Sequence, residues 1–326
     1  MKAAVYDRYG PPDVVYVDDV EIPVPEDEQI LIRVHATTVN SADWRARSLE
    51  LPPGFGPIGR LVFGVFKPRH RILGTEISGV VESVGNTVSK FKPGDRVFAD
   101  CGTGFGGHAE YRVIDENGPL AKIPENVSFE EAAALCFGGT VALDFLQLHG
   151  KIQPGDRVLI NGASGTTGTA LVQLAKHFGG HVTGVCSSSN IELVKSIGAD
   201  EVIDYTVDDF TMNGRVYDII VDTAGTAPWS RSKNSLAETG RLLIVLGSFS
   251  DILLSRFRSQ RDGKKVIDAV AGSSPERCQV LADLAEARKF TPVIDRTYSL
   301  DEIVEAHSYV DSGRKKGSVV IKIVPD

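Results

Sequence analysis

The stretch that decides the fold is Arg157-Val-Leu-Ile-Asn-Gly-Ala-Ser-Gly-Thr-Thr-Gly168, which runs directly into Thr169-Ala-Leu-Val-Gln-Leu-Ala-Lys-His177. An apolar strand ends at glycines spaced by three, and an amphipathic helix follows. Such glycines allow a tight turn and the close approach of a pyrophosphate, whose charge faces the helix N-terminus. Because a second strand–helix–strand unit follows, the order predicts a dinucleotide site; an unrelated glycine-rich turn is the alternative. The candidate contacts in this turn are Gly162, Ser164, Gly165, Thr166, Thr167 and Gly168.

Length and composition narrow the class of protein. A chain of 326 residues with 42% hydrophobic residues predicts a soluble protein of two domains. A net charge of -8 argues against nucleic-acid binding. The four scattered cysteines indicate a reducing compartment, with no disulfide framework or structural zinc site. Because no apolar leader and no run of roughly 18 apolar residues occurs, we expect a cytoplasmic protein without a membrane span.

The pattern of apolar residues divides the chain. Alternating runs such as residues 30–36 and 79–84 predict β structure in the first third. From Ser128, which with Glu131 forms a capping box, helices alternate with short apolar strands typical of a parallel sheet. Those strands are residues 157–161, 181–185, 201–204, 217–222, 241–246 and 265–271. Apolar residues alternate with others in the segment 317–324, which is expected to form a strand that returns to the sheet of the first domain. The predicted domains are therefore residues 1–124 with 272–326, and 125–271.

Several phrases resemble the medium-chain dehydrogenase/reductase superfamily, and within it the zinc-free quinone oxidoreductase branch. Besides the glycine turn they are Val39-Asn-Ser-Ala-Asp43, Gly74-Thr-Glu-Ile-Ser-Gly79, Lys92-Pro-Gly-Asp-Arg-Val97 and Gly198-Ala-Asp-Glu-Val-Ile-Asp-Tyr205. The resemblance implies an α/β fold with a GroES-like β-rich catalytic domain and a Rossmann doubly wound parallel sheet domain. It places the active site in the cleft between them and implies a homodimer joined through strand 265–271.

The resemblance also raises the question of zinc. Zinc-containing relatives place a Cys and a His-Glu pair where this chain has Asn40 and Thr75-Glu76, and neither Asn nor Thr is a useful zinc ligand. We therefore expect no metal. Without a Lewis acid, hydride transfer to a quinone or an α,β-unsaturated carbonyl is less demanding than alcohol oxidation, since the charge spreads over a conjugated system.

Candidate catalytic and substrate residues cluster after residue 39. Asn40 is predicted to hold the substrate oxygen through its amide; capping of the backbone by a turn asparagine is the alternative. Asp43 is expected to orient the backbone or a neighbour, with proton transfer as the alternative. Trp44 and Arg45 are candidates to line the cleft. The alternative is that Trp44 is an ordinary packed side chain.

Further candidate cofactor contacts come from loops after the predicted strands, where parallel sheets bind ligands. They are Ala224, Gly225, Leu246, Gly247 and Ser248. Thr140 resembles the threonine that faces the nicotinamide in the family, and N-capping of a helix is its alternative. Arg314 or Lys316 is a candidate to approach the cofactor from the C-terminal segment.

The choice of coenzyme depends on Ser187-Ser-Ser-Asn190, about twenty residues past the glycines. NAD-preferring folds have Asp or Glu there, whereas small donors leave room for a 2′-phosphate; each hydrogen bond to a charged group is worth about 1.5–3 kcal/mol. Ser187, Ser188 and Asn190 are the candidate contacts, and Tyr205 resembles a family tyrosine near the same phosphate. The sequence therefore predicts NADPH.

Residues 51–71 are apolar, rich in glycine and flanked by cations. We expect a lid over a lipophilic substrate, in which Phe63 contacts that substrate. A packed surface loop, or a contact with lipid or a partner, is the alternative.

Two other functions compete with this expectation. A short-chain dehydrogenase is disfavoured, because Tyr205 and Tyr309 are followed four positions later by Asp209 and Gly313 rather than Lys. A protein that binds NADPH with little turnover, as a redox sensor or a structural protein, stays open. The expected function is reduction of a quinone or an enone by NADPH.

Overall fold

The computed structural model describes residues 1–245, 247 and 263–324. In chain order its strands are β1 Lys2–Val5, β2 Tyr16–Asp19, β3 Gln29–Val39, β4 Glu76–Val84, β5 Arg96–Asp100, β6 Tyr111–Asp115, β7 Leu120–Lys122, β8 Arg157–Asn161, β9 His181–Cys186, β10 Glu201–Asp204, β11 Tyr217–Asp222, β12 Leu236–Ile244, β13 Lys265–Asp268, β14 Ile294–Ser299 and β15 Ser318–Lys322. Its α-helices are α1 Ser41–Ser48, α2 Gly56–Phe63, α3 Phe129–Ala133, α4 Cys136–Leu143, α5 Thr166–His177, α6 Ile191–Ser196, α7 Trp229–Ser232, α8 Pro275–Glu286 and α9 Ile303–Asp311.

The chain forms two compact units. The first comprises Met1–Leu51, Gly56–Phe137 and Ser273–Asp326, and the second comprises Pro52–Phe55 and Gly138–Gly272. Helix α3 packs on β3, β4 and β15 of the first unit. Its N-terminus has the predicted capping box of Ser128 and Glu131, and the Ser78 hydroxyl donates to the Phe129 carbonyl at 2.6 Å. Residues 125–137 therefore pack with the first unit, and the predicted division at 124/125 stays a prediction.

The first unit is built on a mixed sheet centred on β3. Its strands follow the order β14-β15-β3-β4-β5-β7, with β6 also paired to β3 and a separate β1–β2 hairpin. The predicted return of the C-terminal segment is confirmed, because β15 pairs antiparallel with β3 and Val319 lies opposite Val39. Burial of β3 and β15 against the unit's core therefore fixes the end of β3, where Asn40 follows.

The second unit is a six-stranded parallel sheet in the order β10-β9-β8-β11-β12-β13. This is the doubly wound order, with the topological switch beside β8. The predicted strands are confirmed, although β12 begins five residues earlier than residue 241 and β13 ends at Asp268. The carboxyl ends of β8, β9 and β11 therefore lie side by side, and the candidate cofactor loops follow them.

A buried arginine connects α1 to α9 within the first unit. The Arg47 side chain is fully buried, donates to the Gly10 carbonyl at 2.7 Å and forms an ion pair with Asp311, which is partly exposed. Breaking a buried pair leaves an uncompensated charge, whereas replacing both partners with apolar residues is often neutral. This pair therefore holds α1, the helix that Asn40 begins, against α9.

We predict that Asp311→Leu lowers the free energy of unfolding by about 2–3 kcal/mol, because it leaves Arg47 buried without a counter-charge. The double variant Arg47→Met/Asp311→Leu is expected to regain most of that loss. Urea unfolding of the two variants measures the difference. Equal stability of the single and double variants would show that the ion pair does not hold α1.

Candidate functional site

The glycine turn after β8 has the backbone that close approach of a phosphate needs. Gly162 has φ +86°, a conformation that favours glycine, and a Cβ added to Gly168 would overlap the Gly162 carbonyl oxygen. Gly165 precedes α5 without a side-chain cap, and a Cβ there would meet only the Gly162 oxygen, at 3.7 Å. The first N–H groups of a helix have no intrahelical acceptor. The turn therefore forms an open cradle for an anion at the N-terminus of α5 and fits a dinucleotide pyrophosphate.

A buried carboxylate organises the neighbouring loop after β11. Asp222 accepts hydrogen bonds from the backbone N–H groups of Ala224 and Gly225 at 3.1 and 3.0 Å, and from the Asn161 amide at 2.8 Å. The Thr223 hydroxyl donates to the Asn161 carbonyl at 2.8 Å. The predicted contacts Ala224 and Gly225 thus lie beside the glycine turn. The roles of Asn161 and Asp222 were missed, although each ends an apolar strand.

The serine loop after β9 also joins the glycine turn. The Asn190 amide donates to the hydroxyls of Ser164 and Ser187 at 3.0 and 3.3 Å. The Ser188 hydroxyl donates to Asp204 at the end of β10, and hydrogen bonds lower the pKa of that exposed carboxyl. A carboxylate that the sequence analysis missed therefore lies at the loop predicted to receive the 2′-phosphate.

The other predicted cofactor residues of the second unit lie outside the glycine turn and the loops after β9 and β11. Thr140 lies inside α4, which begins at Cys136, so the N-capping alternative is wrong. Its hydroxyl is buried and has no hydrogen-bond partner among the residues that the structure describes. A Cβ on Gly247 would overlap the Asp268 carboxylate. Leu246 and Ser248 lie outside the described residues, and Tyr205 is exposed beside the serine loop.

Asn40 stands at the N-terminus of α1 and is 2% exposed. Its side-chain oxygen accepts from the Ala42 N–H at 2.9 Å, and its amide donates to the Thr75 hydroxyl at 2.6 Å. The predicted capping role is therefore present, together with a second contact made by the amide. An Asn amide has two N–H donors, so one N–H remains after the contact with Thr75.

Asp43 connects the two backbone segments of this site. One carboxylate oxygen accepts from the Asn40 N–H at 2.9 Å, and the other accepts from the Gly74 N–H at 2.8 Å. The side chain is fully buried, and burial raises the pKa of its carboxyl. Asp43 therefore orients the two segments that carry Asn40 and Thr75.

Glu76 is the third residue, after Asn40 and Thr75, that stands where zinc-containing relatives have their ligands. Its carboxyl is buried and accepts from the Thr38 hydroxyl and from the Phe137 N–H, the latter at 2.7 Å. Burial raises the pKa of Glu76 to about 8. A catalytic zinc needs thiolate, imidazole or carboxylate donors. An amide and a hydroxyl that bond to each other, beside a hydrogen-bonded carboxyl, do not fit such a zinc site.

The remaining candidates lie elsewhere in the first unit. Trp44 packs against the unit's core with the Arg45 guanidinium 5.2 Å from its ring centre. Phe63 also packs against that core. Lys316 donates its backbone N–H to Asp295 at 2.7 Å, and Arg314 is exposed. The contacts of these residues with substrate or cofactor stay predictions.

Comparison with known proteins identifies the family of this chain. Residues 26–125 match the model of the alcohol dehydrogenase GroES-like domain, and residues 197–321 match that of the zinc-binding dehydrogenase. The chloroplastic quinone-oxidoreductase QR1 of Triphysaria versicolor is 33% identical over 99% of this chain and 98% of its own length. This chain belongs to the medium-chain dehydrogenase/reductase superfamily and is of the quinone oxidoreductase type.

Other members of this family resemble the chain over its whole length. The 2-methylene-furan-3-one reductase of Solanum lycopersicum is 32% identical over 100% of this chain and 80% of that protein. The solved quinone oxidoreductase of Coxiella burnetii has a TM-score of 0.87 and 28% identity, with 99% of both chains covered. Membership of the medium-chain superfamily makes the protein an oxidoreductase that uses a nicotinamide cofactor.

The glycine turn gives a prediction with a matched pair of variants. Gly168→Ala is expected to lower the free energy of unfolding by about 1–3 kcal/mol, because the new methyl group overlaps the Gly162 carbonyl. Gly165→Ala has room for its methyl group and is expected to keep wild-type stability while binding the nicotinamide cofactor more weakly. Thermal melts and cofactor titrations check this. Wild-type affinity for the cofactor in Gly165→Ala would contradict the candidate cradle.

Glu76 gives a prediction on pH. Because its folded-state pKa is raised to about 8 from an ordinary 4.5, the folded state holds a proton that the unfolded chain releases. Stability is therefore lost as pH rises from about 4.5 to about 8, by up to about 1.4 kcal/mol per pH unit. In Glu76→Gln this loss is expected to disappear. Urea unfolding of both proteins across that range tests it, and parallel pH profiles would refute the buried, protonated carboxyl.

Proposed function

We propose that the protein reduces a quinone or an α,β-unsaturated carbonyl by hydride transfer from NADPH, without zinc. The observation that carries this proposal is the set Asn40, Thr75 and Glu76 at the positions of the relatives' zinc ligands. An amide and a hydroxyl supply hydrogen-bond donors rather than metal ligands. Donors of this kind suffice where the developing charge spreads over a conjugated acceptor.

Asn40 would hold the substrate oxygen. Its Nδ2 is fixed by the contact with Thr75, and its Oδ1 by the Ala42 N–H, so the remaining N–H has one direction. A donor that is already oriented needs no reorganisation as the oxygen gains negative charge. Asp43 fixes the backbone on which Asn40 is carried and does not itself contact the substrate. Hydride transfer leaves either an enolate, which takes a proton from water at its α-carbon, or a hydroquinone anion, which takes a proton from water at its oxygen.

The second unit would hold the cofactor. The glycine turn and the N-terminus of α5 would receive the pyrophosphate. Ala224, Gly225 and Gly247 would contact the cofactor along its length. Thr140 would contact the nicotinamide through its hydroxyl, which has no hydrogen-bond partner in the described part of the chain. When bound, the nicotinamide supplies the hydride. Ser187, Ser188 and Asn190 offer small polar groups to a 2′-phosphate. The carboxylate of Asp204 weakens the preference for NADPH over NADH, because its negative charge repels the 2′-phosphate.

The same proposal includes a homodimer in a reducing compartment such as the cytoplasm. Within the described residues β13 is one of the two edge strands of the parallel sheet of the second unit, and an edge strand can pair with its copy across a two-fold axis. The cysteines of this chain are free thiols, Cys136 and Cys278 being fully buried. Sedimentation analysis tests the dimer.

The whole proposal is tested by NADPH oxidation with a panel of quinones and enones, using protein treated with a zinc chelator and analysed for metal. Full turnover by metal-free protein supports it. Activity that is lost on chelation and restored by zinc would refute zinc independence. Tight NADPH binding without oxidation by any acceptor would favour the redox sensor.

Asn40→Ser separates capping from catalysis, because Ser keeps the capping acceptor but lacks the amide donors. We predict a free energy of unfolding lower by about 1 kcal/mol, because the buried contact with Thr75 is lost. NADPH affinity should be unchanged and kcat lower by about 10²-fold, the effect of losing one oriented donor to an oxyanion. Stopped-flow turnover and thermal melts check this. If kcat stays within two-fold of wild type, Asn40 only caps the helix.

Asp204→Asn tests the electrostatics of coenzyme choice. Removing an exposed charge beside the serine loop is expected to raise the ratio of kcat/KM for NADPH to that for NADH by about two- to five-fold at low salt. Asp18→Asn, which removes an exposed charge from the β1–β2 hairpin of the first unit, is the control. An equal ratio in both variants, or a wild-type preference for NADH, would contradict the NADPH assignment.

A further inference from the structure

The first unit carries an exposed apolar patch that the proposed reaction does not use. It consists of side chains from α2 and the turn that follows: Ile58, Leu61, Val62, Val65 and Phe66. Leu61 is 67% exposed and Phe66 is 96% exposed. Single exposed apolar residues are normal, but a contiguous group of this kind marks an interaction surface.

The patch is held in place by hydrogen bonds of its own. The Tyr9 hydroxyl donates to the Gly64 carbonyl at 2.8 Å, and the Arg69 N–H donates to the Phe63 carbonyl at 2.7 Å. Gly64 has φ +126°, and a Cβ there would overlap the Lys67 carbonyl. Phe63 packs inward against the core. The chain therefore turns tightly after α2, and this turn presents Phe66 outward.

Cations lie beside these apolar residues: Arg60 donates to the Val65 carbonyl at 3.0 Å, and Arg69 donates to the Leu61 carbonyl at 3.1 Å. No Asp or Glu occurs between Glu50 and Glu76, whereas Arg60, Lys67, Arg69 and Arg71 all lie in that interval of a chain with net charge -8. Arg71 pairs with Asp7 at 2.6 Å. The other three cations form no ion pair with a carboxylate within the described residues. The patch is thus a local positive surface on a negative protein.

The charge decides which occupant fits. Across a two-fold axis a second copy would bring these cations against one another, which disfavours a homodimer through this face. A bilayer with anionic headgroups offers both an apolar layer and negative charge, the pair of features that an interfacial helix recognises. No helix in the described ranges has the length and apolarity of a membrane span, so such a contact would lie on the surface.

We propose that α2 and the turn to Arg69 form a docking surface for anionic lipid bilayers. Leu61, Val65 and Phe66 insert at the level of the headgroups, and Arg60, Lys67 and Arg69 contact the lipid phosphates. The docking does not depend on the reaction proposed for the protein.

Co-sedimentation of the full chain with vesicles tests this docking. Vesicles of equal parts phosphatidylcholine and phosphatidylglycerol are expected to bind the protein at low salt, and vesicles of phosphatidylcholine alone are expected to bind it much more weakly. Binding should fall as salt is raised, since surface attraction is screened. Lys67→Gln, which removes a cation whose side chain makes no hydrogen bond in the described part, should weaken binding about five-fold.

Phe66→Ser is the decisive variant, and Val24→Ser is its matched control. Val24 is 83% exposed in the same unit but lies between Glu21 and Glu26. We expect Phe66→Ser to lose at least ten-fold in vesicle affinity with an unchanged thermal melt, and Val24→Ser to bind as the wild type does.

Three results would overturn the inference. They are no binding to phosphatidylglycerol vesicles at low salt, equal loss in Phe66→Ser and Val24→Ser, and a dimer that Phe66→Ser dissociates. A fourth result distinguishes the lid expected from the sequence. If Phe66→Ser leaves vesicle binding intact but raises KM for a water-soluble quinone, the segment covers substrate instead of lipid.

Discussion

The candidate site depends on one buried carboxylate. Asp43 accepts hydrogen bonds from the backbone of Asn40 and of Gly74, and so joins the end of β3 to the segment that precedes β4. The Asn40 amide and the Thr75 hydroxyl then meet at 2.6 Å, a contact that neither segment could hold alone. Burying this carboxyl is unfavourable unless it is hydrogen-bonded, and the two backbone donors offset that penalty. The ion pair of Arg47 holds the same helix from its other end, so the position of the amide is fixed twice.

Much of the fold could be predicted from sequence because it rests on local patterns. The apolar runs of β8, β10 and β11 are bounded by charged or glycine residues, and their ends match the expected ones. The capping box of Ser128 and Glu131 was equally local. Prediction failed where packing decides: N-capping by Thr140, the alternative to a nicotinamide contact, is wrong because α4 already begins at Cys136. The packing of α3 on the first sheet likewise depends on contacts with distant strands.

The candidate cofactor site shows the same limit of sequence-based prediction. Gly162, Gly165 and Gly168 were recognisable because each serves the turn in which it stands. The contact of Asp204 with Ser188 was not, since it joins two strands that become neighbours only once the sheet order is known. Asp222 is similar: its side chain holds Asn161 and the loop of Ala224 across adjacent strands. The sequence therefore predicts the candidate cofactor loops, but not the carboxylates that organise them.

The most direct measurement is a crystal structure of the protein with oxidised cofactor and an unreactive enone. The expected result is a carbonyl oxygen at about 2.7–3.2 Å from Nδ2 of Asn40, with the amide still donating to Thr75. A metal ion coordinated by Glu76, or a carbonyl oxygen bound away from Asn40, would contradict the central claim that an oriented amide stands where relatives place a metal.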